Sequence, residues 1–240
     1  MEIQQFDIIV VGAGPAGSTF VTYLQQTGLS IAVIDKASFP RDKICGDAIP
    51  GPAVRILEGI SPQTVRRFEQ FNAKNRAKGA TAIAPDHHKF SIHFTTKGFI
   101  SKRIDFDHFL FEEARRNKNA CFFLGKSIEQ IEIRPDEVEV SLKGKHPRLR
   151  AKLLIGCDGA NSVVARQLTQ RSVQPAHHCA AVRAYYRNVD LKNDQMMEFY
   201  FLKNYLPGYF WIFPIGNNLY NVGFGMLSKD ISSRKINLKS

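Results

Sequence analysis

The sequence predicts an α/β fold: a strand–helix–strand domain interrupted by an inserted, mostly antiparallel sheet. Three observations carry this. A strand–helix–strand unit occupies the first 35 residues, a Gly-x-Gly-x-x-Gly run sits at its first strand–helix junction, and strand patterns dominate from Gly79 onward, interleaved with helical segments. No internal repeat is present.

Phe6 to Val11 is a short apolar run, β-branched at its centre and ended by Gly12, the pattern of a strand buried on both faces. Pro15 suits the first turn of a helix, Phe20, Val21 and Leu24 recur at helical spacing, and Gly28 supplies a stop, so a helix is predicted from Pro15 to Thr27. Ile31 to Ile34, closing on Asp35, is the second strand, parallel to the first. Beyond Ala53 the signal weakens, although Val65, Phe68 and Phe71 line one face of a helix reaching Asn72.

Thr81 to Ala84 and Phe90 to Phe94 flank the turn-forming Pro85-Asp86-His87-His88 and read as a hairpin. A helix follows at Asp105, with Phe106, Phe109, Leu110 and Ala114 on one face and cations near its C-terminal end. Ile128 to Ile133 and Val138 to Leu142 form a second hairpin about Arg134-Pro135-Asp136. Leu153 to Cys157 reads as another buried strand, with a short helix through Val164 and Arg166 beyond it. The segments 182–186, 198–202, 210–213 and 221–225 then suggest a mostly antiparallel sheet.

Composition excludes several classes. With 44% hydrophobic and 23% charged residues, neither a disordered chain nor a fibrous repeat is expected. The longest apolar stretches fall far short of the ~20 residues a spanning helix needs, and the first residues lack the basic region of a secretory signal. A cytoplasmic location is expected. Cys45, Cys121, Cys157 and Cys179 are far apart and read as reduced thiols, not as a disulfide framework or zinc site. The adjacent pairs His87-His88 and His177-His178 lack the spacing of metal ligands. The formal charge of +11 is spread along the chain, so solvated surface is expected and no nucleic-acid partner.

The glycine run carries the clearest chemistry. Gly12 permits the tight turn, Gly14 lets a pyrophosphate approach the backbone, and Gly17 lets the helix pack closely on the strand, while Pro15 and Ala16 open the helix N-terminus. Asp35, 18 residues after Gly17, is placed to accept hydrogen bonds from a ribose. Arg103, just ahead of a helix, offers a permanent cation for an anionic cofactor, or else a surface ion pair. Asp158 and Gly159 follow a strand at the edge where doubly wound sheets place ligands; a helix N-cap is the other reading. In a strand, Tyr209, Trp211 and Phe213 face one way and form an aromatic wall, suited to an apolar ligand or to the core.

These motifs, in this order, resemble the geranylgeranyl reductase group of the FAD-dependent oxidoreductases, in the para-hydroxybenzoate hydroxylase superfamily. The resemblance covers nearly the whole chain. It rests on Gly12 to Gly17, on Pro40-Arg41-Asp42-Lys43-Ile44-Cys45-Gly46-Asp47, on Arg103-Ile104-Asp105-Phe106-Asp107, on Gly156-Cys157-Asp158-Gly159, and on Tyr209-x-Trp211-x-Phe213-Pro214. It implies a Rossmann-like FAD-binding domain formed by 1–75 and 101–172, a substrate-binding sheet formed by 76–100 and 173–228, and a further C-terminal part beginning at 229–240. Gly12, Gly14, Pro15, Ala16, Gly17, Asp35, Lys36, Arg41, Cys45, Gly46, Asp47, Arg103, Asp158 and Gly159 would then contact FAD. Tyr209, Trp211, Phe213 and Pro214 would meet the substrate. Cys45 is the catalytic candidate, as a redox or proton-donating thiol, although a free cysteine also serves as a small hydrophobe.

The implied reaction passes hydride from reduced flavin to a carbon–carbon double bond of a prenyl-type lipid, with NAD(P)H as an electron donor. A hydrophobic small molecule or prenyl lipid is the expected partner, with room for peripheral membrane contact. Two rivals stand beside it: an aromatic monooxygenase of the same superfamily, and a noncatalytic truncated nucleotide-binding fragment. The chain departs from the group in lacking a second Gly-Asp motif after Gly225, since Gly46-Asp47 is its only Gly-Asp. It is therefore expected to be the N-terminal part of a longer reductase or a natural truncation, holding FAD weakly and showing no turnover alone.

Overall fold

The β-branched run at the start forms the centre of a six-stranded sheet. In the computed structural model, which describes residues 2–169, 173–191 and 193–238, β1 spans Ile3–Val11 and ends at Gly12. Helix α1 (Pro15–Tyr23) follows, extended by a 3-10 turn over Leu24–Gln26, and β2 (Ile31–Asp35) returns parallel to β1, with Ile8 opposite Ile31 and Val11 opposite Ile34. The predicted helix to Thr27 thus tightens in its last turn.

The chain then forms β3 (Ala48–Ile49), α2 (Gly51–Glu58), α3 (Pro62–Gln70), β4 (Asn75–Ile83) and β5 (Lys89–Ile100). Next come α4 (Arg103–Arg115), β6 (Ala120–Leu124), β7 (Ile128–Ile133), β8 (Val138–Leu142), β9 (Arg148–Gly156) and α5 (Val163–Leu168). The last elements are β10 (Cys179–Arg187), β11 (Met196–Tyr200), β12 (Tyr209–Gly216), β13 (Leu219–Leu227) and α6 (Ser228–Ser233). None of the helices described is long and apolar enough to cross a membrane.

Two compact units result: residues 1–41 with 107–173, and 42–106 with 174–240. In the first, the strand order is β6-β2-β1-β9-β8-β7; the β6, β2, β1 and β9 ladders are parallel, and the β9-β8-β7 edge is antiparallel. Alternation sends Ile9, Val11, Ala32 and Ile34 to one face, and Ile8, Val10, Ile31 and Val33 to the other, against Val21 of α1 and Phe111 of α4. Both faces are covered, as a parallel sheet requires. The last strand is less buried than its sequence suggests: Leu149 and Ala151 are fully enclosed, but Leu153 is 48% exposed.

The second unit is built on a sheet of order β10-β13-β12-β11-β4-β5-β3, antiparallel except for β11 beside β4. Its core includes Ala77, Ile100, Met197, Trp211 and Phe213. Residues 42–75 and 101–106, expected with the dinucleotide-binding half, belong to this unit instead. The pairing of β3 with β5 and the packing of α2 on β5 draw them there. Segment ends expected at Met1, 170–172 and 239–240, and Lys192 within the sheet segment, lie outside the described residues.

Candidate functional site

In the first unit, the glycine run connects the carboxyl end of β1 to α1, between β2 and β9 in the sheet order. Gly12 has φ +99°, and a β-carbon there would overlap the Cys157 carbonyl oxygen; one at Gly17 would overlap the Gly12 carbonyl. These two glycines are required by packing alone. Gly14 differs: the nearest atom to a β-carbon there is Arg41 Nη2, at 3.1 Å. Gly14 is also the N-cap of α1, with no side-chain cap, Pro15 in the first turn and no acidic residue beside it. The first-turn N–H groups, with the positive end of the helix dipole, are a ready site for an anion.

Two residues fix the rim of this loop. Asp35 accepts from the Ala13 N–H (2.7 Å) on Oδ2 and from the Ala37 N–H (2.8 Å) on Oδ1, so it orders the turn as well as facing it. Each carboxylate oxygen retains a second acceptor site, as ribose binding would need. Lys36 beside it is exposed. Arg41 donates from Nη1 to Asp107 (2.9 Å), whose carboxyl is fully buried, and its guanidinium lies 5.0 Å from the Phe39 ring. Asp107 was quoted in a motif without a role; it anchors the cation beside Gly14.

Asp158 takes the helix-capping role that was the other reading of its position. Its Oδ2 accepts from the Val163 (2.6 Å) and Val164 (3.2 Å) N–H groups, capping α5 together with Ser162. Gly159, at φ +79°, is exposed. Burial, then the charge of Asp158, push the Cys157 thiol up.

In the second unit, Cys45, Gly46 and Asp47 are bound to the aromatic strand. A β-carbon at Gly46 would come within 2.8 Å of the Phe213 ring. Asp47 is 1% exposed and sits at φ 68°, a region that costs a non-glycine residue ~1–3 kcal/mol unless its surroundings hold it. They do: Asp47 Oδ2 accepts from Tyr185 Oη (2.8 Å) and Asn221 Nδ2 (2.7 Å). Its Oδ1 is buried with no hydrogen-bond partner among the described residues. Burial pushes the Asp47 carboxyl up, against the hydrogen bonds from Asn221 and Tyr185; burial and Asp47 in turn push the Tyr185 phenol up. Arg183 lies 4.2 Å over the Tyr185 ring and pairs with Asp42 (2.9 Å). Arg103 is the first residue of α4 in this unit.

Register explains the assembly. Asn221 on β13 lies directly opposite Tyr185 on β10 and Phe213 on β12; one rung along, Gly223 lies between Arg183 and Trp211. A β-carbon at Gly223 would overlap the Trp211 indole. Tyr209, Trp211 and Phe213 do form one row, with neighbouring ring centroids 6.0 and 6.2 Å apart. Trp211 and Phe213 are each 5% exposed and Tyr209 is 38% exposed, so much of the wall is core. Pro214, also buried, accepts through its carbonyl from Asn75 (3.0 Å).

Tyr185, Arg183, Asn221 and Gly223 were not singled out from sequence. The available signal was Asn221 itself, a polar residue in phase with the small inward positions Gly223 and Gly225. Among the described residues, no group of three or more His, Cys, Asp or Glu is close enough to hold a metal ion.

The residues present fit a dinucleotide: a helix N-terminus without a side-chain cap, a Gly14 cradle that a side chain would fill, and an anchored cation beside it. Comparison with known proteins defines the class. A family model described as FAD binding domain matches residues 5–235, and the chain belongs to that family. It is 30% identical over 231 residues to digeranylgeranylglycerophospholipid reductase 1 of Methanosphaera stadtmanae, covering 92% of this chain and 54% of that protein. It is 31% identical over 229 residues to a menaquinone reductase of Mycobacterium tuberculosis, covering 92% and 55%. A geranylgeranyl bacteriochlorophyll reductase-like protein from Thermoplasma acidophilum shares the fold, with TM-score 0.83 at 24% identity, over 99% of this chain and 60% of that one. The chain spans about half the length of the curated relatives it matches.

Proposed function

We propose that the chain is the nucleotide-binding and substrate-facing part of an FAD-dependent reductase that saturates carbon–carbon double bonds in a prenyl-type lipid. The observation that carries this reading is the glycine cradle: Gly14 at the N-terminus of α1, with Arg41 held beside it by buried Asp107. Two named relatives, a digeranylgeranylglycerophospholipid reductase and a menaquinone reductase, support a lipid substrate carrying a prenyl chain.

In this reading Gly12 and Gly17 shape the turn, and Gly14, Pro15 and Ala16 present backbone to the pyrophosphate. Asp35 takes the ribose, and Lys36 and Arg41 offset phosphate charge. The first unit thus serves the nucleotide and the sheet of the second serves the lipid. Cys45, Gly46, Asp47, Arg103, Asp158 and Gly159 serve the flavin half, with Cys45 as a proton-donating thiol. In the row from Tyr209 to Pro214, Tyr209 supplies the exposed apolar surface, worth ~1.5–3 kcal/mol when fully buried against a ligand, and Trp211, Phe213 and Pro214 back it. Bound FAD, reduced by NAD(P)H or another donor, would supply the hydride. The chain's own part is to orient the lipid, exclude water and hold the proton that completes the reduction.

The test is anaerobic incubation of the FAD-loaded protein, in its full-length context, with NADPH and a geranylgeranyl lipid. Mass spectrometry should find ~2 Da gained per double bond reduced, a count set by addition of one hydride and one proton. An unchanged lipid there, with rapid NADPH oxidation and a hydroxylated product once air and an aromatic substrate are supplied instead, would assign the chain to the monooxygenase rival.

A further inference from the structure

We infer that Asn221 is a positioning residue that locks the Cys45–Asp47 turn to the indole of Trp211, so that the thiol-bearing segment and the aromatic row are held as one piece. Its side chain is completely buried. Oδ1 accepts from Trp211 Nε1 (2.8 Å), while Nδ2 donates both to the Cys45 carbonyl (2.7 Å) and to Asp47 Oδ2 (2.7 Å). The orientation of the amide is forced, because an indole N–H only donates and a carbonyl or carboxylate only accepts.

No other residue of that size does the same. Leucine would take the partner from the indole N–H and from the Cys45 carbonyl, at ~1–3 kcal/mol each, and leave Asp47 Oδ2 with Tyr185 alone, and aspartate would set a second carboxylate against Asp47. The turn needs such a tie: Asp47 holds φ 68°, and Gly46 packs against the Phe213 ring too closely for a side chain. Register brings the clamp about, since Asn221 is opposite Phe213 on one side and Tyr185 on the other. Asn221 therefore sets where the Cys45 sulfur and the unpartnered Asp47 Oδ1 are presented. Its importance for catalysis rests on the proposed function above, but the clamp itself is testable without cofactor or substrate.

The test is alkylation of native protein with iodoacetamide, read cysteine by cysteine by mass spectrometry. The exposed Cys121 and Cys179 serve as internal standards. Asn221→Ala should raise the Cys45 rate about 10-fold, the ~1.4 kcal/mol released with two modest hydrogen bonds. The standards should not change, and the emission of Trp211, the sole tryptophan, should shift to the red. The increase should stay flat from 0 to ~1 M urea, since local release of a turn exposes little surface. A steep urea dependence would assign Asn221 to global stability alone and overturn the inference, as would a wild-type Cys45 rate or a response of Trp211 without Cys45. If Asn221→Ala does not fold, Trp211→Phe keeps most of the ring and removes only the N–H. It should raise Cys45 alkylation about 2- to 10-fold, and an unchanged rate there would overturn the clamp.

Discussion

The two units build their candidate sites by different means. In the first, the candidate groups are largely backbone: a helix N-terminus and a glycine turn, with side chains such as Asp107 and Asp35 holding the frame. In the second, the groups are side chains held by one another across strands, in the series Trp211, Asn221, Asp47 and Tyr185. A backbone site tolerates little change in its glycines and much elsewhere. A side-chain network concentrates its sensitivity in residues that need not touch the ligand at all.

A large effect should come from breaking the backbone frame of the first unit. Gly17→Ala sets a β-carbon on the Gly12 carbonyl, where no flexible side chain can give way. Overpacking against backbone should cost about 3 kcal/mol, or roughly 6–12 °C in Tm for a chain of this size, read by thermal denaturation. A Tm within ~2 °C of wild type, under 1 kcal/mol on the same scale, would mean that the loop is looser than its geometry.

In the second unit, Trp211→Ala should cost ~3–5 kcal/mol, because it empties a packed site and strands Asn221. The half-exposed neighbour makes a sharper contrast: Tyr209→Ala should cost less than ~1.5 kcal/mol, measured by urea denaturation of both variants. Lipid binding lost in Tyr209→Ala with stability retained would place the ligand at the open end of the aromatic row. Equal destabilisation by the two substitutions would make the whole row core.

The smallest effect is a pH dependence. Burial raises the Asp47 carboxyl in the folded chain. Above the ordinary carboxyl value of about 4, the unfolded chain has lost a proton that the folded chain still holds. The stability gained from this group is therefore complete below about pH 4 and is lost as pH rises through the raised folded value. The stability of wild type relative to Asp47→Asn should fall with rising pH in urea titrations run between about pH 4 and 8. A difference that grows with pH would mean that Asp47 is stabilised as the anion.

What could be read from the sequence follows the same division. The β1–α1–β2 unit was legible because its signals are local: a β-branched run, three glycines at fixed spacing, and an acid at the next strand end. The aromatic row on β12 was legible from alternation alone. The contribution of Asn221 was not, because it depends on register between β10, β13 and β12 and on a turn 174 residues away in sequence. Asp158 was legible both as a residue at a strand end and as a helix cap, but the sequence could not choose between them, because capping of α5 depends on how the chain bends through Gly159. Helix α2 and strand β6 were missed for another reason: both are short, and neither carries the long apolar period that separates helix from strand.

The claim on which the rest depends is that the Gly14 loop is the nucleotide cradle. The most direct test is a fluorescence titration of FAD into the wild-type chain and into Gly14→Val, with ADP as competitor. A β-carbon at Gly14 meets only the Arg41 guanidinium, at 3.1 Å, a shortfall of a few tenths of an ångström, so the variant should fold with a Tm close to wild type. Wild type should bind FAD saturably and weakly and release it to ADP. Gly14→Val should bind at least ~30-fold more weakly, a loss of about 2 kcal/mol, as the branched side chain takes the pyrophosphate's place. Equal FAD affinity in the two proteins, or FAD that ADP cannot displace, would contradict the account.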